Sequence, residues 1–231
     1  RTADAWLTSI GQSSQTRSLV WNPLARWLTG NDLAMMSADV FVRSMKPLFL
    51  STRPDSRVSV VQDSLQACFI QPITETLTQA GATILCNTEA TQLRYERDRI
   101  SGVLLRHGPM LQADWYVAAL PPQQFTPLLP EQWLTRYAYF QQLTELRSVK
   151  STSLHVQAEQ PCATPRLVLL SDTSFHWVLA TAVTPDCTNF SLVTTDSQIA
   201  QTRPDLHLDI RIRDLLRSLG LLMPENKIAS I

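Results

Sequence analysis

Apolar positions follow a helical period through the first eighty residues of the chain, then mostly alternate, then return to a helical period near the end. Thr2, Ala5, Trp6 and Ile10 make a short amphipathic turn set. Val20, Trp21, Leu24, Trp27 and Leu28 recur at i, i+3, i+4, i+7 behind Ser18, a predicted N-cap. Pro23 falls early enough in that helix to be tolerated, and Gly30-Asn31-Asp32 ends it. A third helix is predicted from about Ala34 to Met45, with Pro47 stopping or kinking it. Residues 56–61 alternate like a short strand. Asp63 then caps a predicted helix running to about Ala80, which buries Leu65, Cys68, Phe69, Ile73 and Leu77 and places Gly81 at its C′ position.

From Gly81 onward the pattern is that of a meander. ATILCN (82–87), ATQLRYE (90–96) and ISGVLLRH (100–107) read as strands, the last two joined by RDR. LQADWYVAALP (111–121) is apolar enough to be a strand buried on both faces. Pro121-Pro122 ends it, QQFTPLLP (123–130) is a short helix or turn, and EQWLTRYAYFQQL (131–143) is a helix. SVKSTSLHVQAE (148–159) alternates as a long strand with Val149, Leu154 and Val156 inward. RLVLLSD, HWVLATAV and NFSLVTT are further strands. Residues 204–220 form an amphipathic helix with Leu208, Ile212, Leu215, Leu216 and Leu219 on one face, and NKIASI opens a last strand. The fold class is α+β, an antiparallel sheet with flanking helices plus a β-meander, not an alternating βαβ chain. Three segments follow: 1–80 helical, 81–130 meander, 131–231 antiparallel sheet plus helix.

Composition narrows the function. Twenty basic and twenty acidic residues cancel, which argues against a nucleic-acid partner. Charged residues are 17% of the chain, below the usual quarter, so apolar surface is expected in a partner contact or a tunnel. None of the six glycines forms a G-x-G, so neither the dinucleotide fingerprint nor the Walker loop is present. The four cysteines are scattered and read as reduced thiols of a cytosolic protein. The four histidines are scattered too, so no metal site is expected. No run of 18 apolar residues occurs. The chain opens on Arg1 without a Met and is expected to be a piece of a longer protein.

Specific wording adds a resemblance. TADAWLTSIGQ (2–12), LVWNPLARWL (19–28) and SADVFVRSM (37–45) resemble the middle of the squalene-associated FAD-dependent desaturases, the hydroxysqualene dehydroxylase group. That group carries W-L…G-Q, then W-x-P-L, then an S-A pair opening a helix. QPITETLTQAGATILCNTEATQL (71–93) and DWYVAALPPQQFTPLLPEQW (114–133) resemble phytoene and ζ-carotene desaturases, with their D-x-Y-V-x-A-x-P…L-L-P-E-x-W. The likeness covers about Thr2 to His155 well and the rest loosely, within the FAD-dependent amine oxidase and carotenoid desaturase superfamily. The family's amino-terminal G-x-G-x-x-G unit and carboxy-terminal G-D segment have no counterpart here, and RWLTG (26–30) stands where the squalene group has A-L-N.

The resemblance implies an FAD-dependent oxidoreductase acting on a long apolar isoprenoid. The reaction would be squalene- or phytoene-type desaturation, or hydroxysqualene dehydroxylation, with hydride passing to or from flavin. The present chain would be its substrate-binding part, inactive alone and retaining no FAD because the phosphate-cradling helix N-terminus is missing. Glu89 and Ala90, opening the second meander strand, are implied to meet the adenine through backbone, or else are ordinary strand residues. Ala119 and Pro121 belong to the A-x-P where the family's chain turns under the cofactor, or else simply end a strand. Trp21, Phe41 and Met45 are the substrate-side candidates. The helix carrying Phe41 and Met45, with Arg43 and Lys46, reads as a lipid-facing entrance or, more strongly, as a core helix. Trp21 and Trp27 lie on different faces, so no amine-binding aromatic cage is encoded by them. No acid or base stands out, and His155 and His176 read as structural. The alternatives are an amine oxidase, or a flavin-free lipid- or partner-binding module of the same fold. The expected partner is a hydrophobic small molecule, with peripheral membrane contact, in a cytoplasmic or membrane-associated setting.

Overall fold

The computed structural model describes residues 1–50, 52, 57–61, 64–97, 99–146, 148–162, 164–171, 174–195, 206–223, 226 and 228–230. The predicted cap Asp63 and the first residue of the predicted strand 56–61 lie outside them. The chain divides into two compact units, one made of Arg1–Leu65 and Val149–Ile231, the other of Gln66–Ser148. Both sequence boundaries, after residues 80 and 130, fall inside the second unit.

The first unit opens with helix α1 (Ala3–Ser9), capped by the Thr2 hydroxyl. Ser13, not Ser18, caps the next helical stretch by accepting from Thr16 N at 3.0 Å. That stretch widens through Arg17–Trp21 and continues as α2 (Asn22–Thr29), which ends where Gly30 takes φ +72°. Ser18 sits within the stretch, its hydroxyl donating to Gln15 O. The third helix, α3, begins later than predicted and runs Ala38–Phe49 from a Ser37 cap. Residues 33–35 form a turn instead, closed by Met36 N donating to Asp32 O, while Ala3 N donates to Met36 O and Asp4 N to Leu33 O. Pro47 lies inside the last turn of α3 instead of ending it. Near the end of a helix a proline removes one bond and leaves the turns before it intact. Ala3, Leu7, Ala25, Leu33, Met36, Phe41 and Met45 form the core of these helices.

Residues 57–61 are not a strand. In the second unit, helix α4 (Gln71–Gln79) follows a wider turn at Gln66–Ile70. Gly81 is its C′ residue with φ +81°. Gly81 N donates to Thr78 O and Ala82 N to Leu77 O, the paired bonds of a Schellman ending. Leu65, Cys68, Phe69, Ile73 and Leu77, expected to be buried, are exposed. A periodic pattern states that a face is apolar, not that something covers it.

Strands β1 (Ala90–Glu96) and β2 (Arg99–Leu105) pair as the predicted hairpin. Residues 82–87 form no strand, and of 111–121 only Leu111 bridges, to Val103. Trp115 and Val117 are 88% and 93% exposed. A strand buried on both faces requires flanking strands and two covering layers, and a two-stranded hairpin supplies neither. The predicted helix 131–143 is two, α5 (Glu131–Arg136) and α6 (Ala138–Glu145), broken at Tyr137 where φ is −114° and ψ 113°. The break lets Trp133 stack on Phe140, with centroids 5.3 Å apart, while Tyr95 meets Trp133 edge-on at 5.3 Å.

Back in the first unit, β3 (Thr152–Ala158), β4 (Arg166–Leu169), β5 (Trp177–Thr184), β6 (Cys187–Thr194) and β7 (Ile228–Ser230) form one antiparallel sheet of order β4-β5-β6-β3-β7. Helix α7 (Leu206–Ser218) lies on one face. Its Leu208, Ile212 and Leu216 pack on Val156, Ala158, Val178, Ala180, Phe190 and Leu192, with Leu215 and Leu219 alongside, as the periodicity predicts. Leu154 packs at the edge of this core, whereas Val149, expected inward, is exposed. The architecture is thus mixed helix and antiparallel sheet.

Candidate functional site

Because side chains alternate across a strand, the residues between the core positions of β3, β5 and β6 face the other side of the sheet. That face is the floor of a groove of about 770 Å³. Leu167, Trp177, Leu179, Thr181, Asn189, Ser191 and His155 line the floor, with Trp27 and residues 58–61, 64 and 65 as walls. No charged residue is among the described lining residues. The register sets Leu167 beside Leu179, Leu179 beside Ser191, and Ser191 beside His155. Along this row the polar side chains lie on β6 and β3, and Thr181 of β5 stands beside Asn189 in the next row. Asn189 Nδ2 donates to Ser191 Oγ at 3.1 Å, and that Oγ lies 3.0 Å from His155 Nδ1. His176, the other histidine in a strand-like segment, is buried beside Thr195 and lies outside the groove lining.

A second, smaller cleft of about 200 Å³ brings the substrate-side candidates Trp21, Phe41 and Met45 together. Trp6, Leu7, Ile10, Val42, Phe49 and Leu50 complete its apolar lining, and Gln12 and Lys46 also line it. Trp21 meets Phe41 and Phe49 edge-on at 6.0 and 5.7 Å. Its indole N–H donates to Gln12 Oε1 at 2.8 Å, so the ring is anchored at its polar end. Phe41 and Met45 are buried in the helical core, while Val40, Phe49 and Leu50 are exposed.

Elsewhere in the helical part, Asn22 and Arg26 of α2 hold the loop after the helix. Asn22 Oδ1 accepts from Leu33 N at 2.9 Å, and Arg26 pairs with Asp32. Burial raises the Asp32 carboxyl, but the Arg26 hydrogen bond and charge, helped by Asn22, outweigh it and hold the group below its ordinary value.

The cofactor-side candidates lie in the second unit. Ala90 is the first residue of β1, paired with Leu105. Glu89 precedes it, and Arg106 engages both its carbonyl, at 2.8 Å, and its carboxylate, at 2.7 Å. Ala119 and Pro121 are exposed, and Pro121 O accepts from Gln124 N and Phe125 N as the next helical turn opens. Among the described residues no backbone hydrogen bond or strand pairing joins the Glu89–Ala90 pair to Ala119 or Pro121. No described helix is long and apolar enough to cross a membrane. Among the described residues no cluster of three or more His, Cys, Asp and Glu side chains is gathered for a metal.

The groove was missed from the sequence because its polar spot is spread over positions 155, 189 and 191. Only strand register makes them neighbours.

The fold and the sequence agree on a class of protein. The chain superposes on an oxidoreductase from Methanosarcina mazei with a TM-score of 0.72, at 14% identity, over 98% of this chain and 54% of that one. It is 27% identical over 157 residues to the 15-cis-phytoene desaturase of Synechococcus elongatus, covering 65% of this chain and 33% of that protein. It is 24% identical over 159 residues to the zeta-carotene desaturase of Synechocystis, covering 66% and 32%. No family model matches the chain. The chain is thus similar in sequence to carotenoid desaturases and in fold to an oxidoreductase, which bears out the resemblance read from residues 71–93 and 114–133. The chain spans about a third of the length of the desaturases it matches.

Proposed function

We propose that the chain is the substrate-side part of an FAD-dependent oxidoreductase acting on a long apolar isoprenoid. The reaction is squalene- or phytoene-type desaturation, or hydroxysqualene dehydroxylation. The observation that carries this reading is the groove on the outer face of the sheet, large, mostly apolar and without a charged residue among its described lining. An extended neutral isoprenoid loses little along the apolar part of such a groove, whereas a charged ligand would be desolvated without a counter-charge. The amine-oxidase alternative finds no carboxylate there among the described residues.

Flavin, when bound, supplies the hydride chemistry. Ala90, Ala119 and Pro121 are the residues of this chain that fit a close backbone approach, being small or open. Glu89 fits less well, since Arg106 already engages its carbonyl and carboxylate. This chain's own contribution to the reaction is to bind the apolar body, exclude water from it and orient it. A dinucleotide-binding unit supplied by residues other than these belongs to the same reading, as does peripheral membrane contact through Val40, Phe49 and Leu50, exposed on α3 and at its end, with Arg43 and Lys46.

The test uses the full-length protein and the 231-residue chain side by side. Full-length protein is expected to purify with flavin absorbance and to convert a phytoene-, squalene- or hydroxysqualene-type substrate. The chain alone is expected to be colourless. Stoichiometric flavin on the chain alone would sink the cofactor part. Amine turnover with peroxide release and no change in any isoprenoid would sink the substrate part.

A further inference from the structure

We propose that His155, Ser191 and Asn189 form a hydrogen-bonding site that selects a neutral hydroxyl on an otherwise apolar ligand in the groove. The proposal rests on the groove being an isoprenoid site, and it adds the residues that would tell an alcohol from a hydrocarbon.

Three observations converge. First, one row of the floor reads Leu167, Leu179, Ser191, His155 across four neighbouring strands. That row changes from apolar to polar between β5 and β6, which suits a ligand apolar along most of its length and polar at one point. Second, the polar spot is internally ordered. Ser191 Oγ receives a hydrogen from Asn189 Nδ2, so its own hydrogen is available to His155 Nδ1, 3.0 Å away. With the Ser191 hydroxyl donating to Nδ1, the tautomer we propose, the ring proton sits on Nε2, which has no hydrogen-bond partner among the described residues. His155 then offers a donor, and Asn189 Oδ1 an acceptor. A hydroxyl, which both donates and accepts, matches this pair. Third, the described lining holds no Lys, Arg, Asp or Glu. A carboxylate, phosphate or ammonium would be left without a counter-charge. A pure hydrocarbon would displace water from the three polar side chains and return nothing to them.

The experiment measures equilibrium binding of radiolabelled squalene and hydroxysqualene to the full-length protein from detergent micelles. The wild type is expected to favour the alcohol by about three- to tenfold, the range of one or two neutral hydrogen bonds. His155→Ala and Ser191→Ala are expected to bring the ratio near one while leaving squalene affinity in place. His155→Gln, which keeps a donor and an acceptor, is expected to retain part of the preference. Leu179→Ala is expected to weaken both probes alike. Equal affinity in the wild type, or an unchanged ratio in His155→Ala, overturns the proposal and leaves the isoprenoid reading standing. Failure of both probes to bind overturns both.

Discussion

The indole of Trp21 meets the ring of Phe41 edge-on, with centroids 6.0 Å apart and planes at 86°. Two of the residues singled out as substrate-side candidates are therefore one packing unit. Phe41 is only 3% exposed and also touches Trp6. Phe41→Ala is expected to cost about 3–5 kcal/mol through lost burial and the cavity left behind, and Phe41→Leu much less. Urea unfolding followed by tryptophan fluorescence measures both. A loss below about 1 kcal/mol for the alanine variant would show that the helical core does not depend on this ring.

Asp32 ties the loop after α2 to Arg26 and Asn22. Its folded pKa lies below the ordinary value of 3.8. A depressed carboxylate contributes stability that is fully present above its unfolded pKa and is lost as pH falls through the folded one. The wild type is thus expected to exceed Asp32→Asn in stability at pH 5 to 7, with the gap closing at the acid end, below pH 4. The carboxylate is nearly half exposed, so the gap is expected to stay under ~1 kcal/mol. Denaturation midpoints at pH 6 and pH 3 check the sign, and a gap that widens in acid refutes it.

Gly102 lies under Met110. A Cβ at this position would sit 2.7 Å from Met110 Sδ, 2.8 Å from Met110 Cγ and 3.0 Å from Leu111 O. The methionine is flexible, but the carbonyl belongs to the bridge between Val103 and Leu111. Gly102→Ala is expected to cost about 1–3 kcal/mol and to open that bridge. Faster amide exchange at Val103 and Leu111 is the readout. Met110→Ala in the same chain is expected to recover part of the loss.

Gln160 is a buried polar hub. Its Nε2 donates to Leu221 O at 2.6 Å, its Oε1 accepts from Met223 N at 3.2 Å, and its carbonyl accepts from Thr188 Oγ1 at 2.7 Å. The side chain thereby fastens the turn after α7 to the end of β3. Gln160→Leu leaves the Leu221 carbonyl without its donor and is expected to cost about 1–3 kcal/mol. Gln160→Glu, which keeps the shape but removes the donor, is expected to be no better at pH 7. Thermal unfolding of both variants decides the matter.

Much of the fold was legible residue by residue. The β1 span 90–96 matches its predicted limits, and the Leu208–Ile212–Leu216 face of α7 is the buried face the spacing predicts. Gly81 ends its helix in the left-handed conformation expected of it. The misses share one cause. Ser18 was read as a cap because it precedes apolar positions, yet Ser13 is the residue whose hydroxyl meets a free N–H. Leu77 and Val117 were read as buried because they are apolar, yet both are exposed. In the candidate site, Trp21, Phe41 and Met45 were named from the sequence and do meet in one cleft. His155 was read as structural, and its neighbours Asn189 and Ser191 carried no signal at all.

The sequence by itself determined most of the helices, the β1–β2 hairpin and the alternation of β3, since those periods arise from sterics and side-chain direction within a few residues. It also determined that the chain carries no net charge and no phosphate-binding glycine motif. Only the tertiary structure decided which polar residues share a surface. Leu167, Leu179, Ser191 and His155 form one row because strand register aligns four separate segments, and a slip of one residue would turn each side chain to the opposite face.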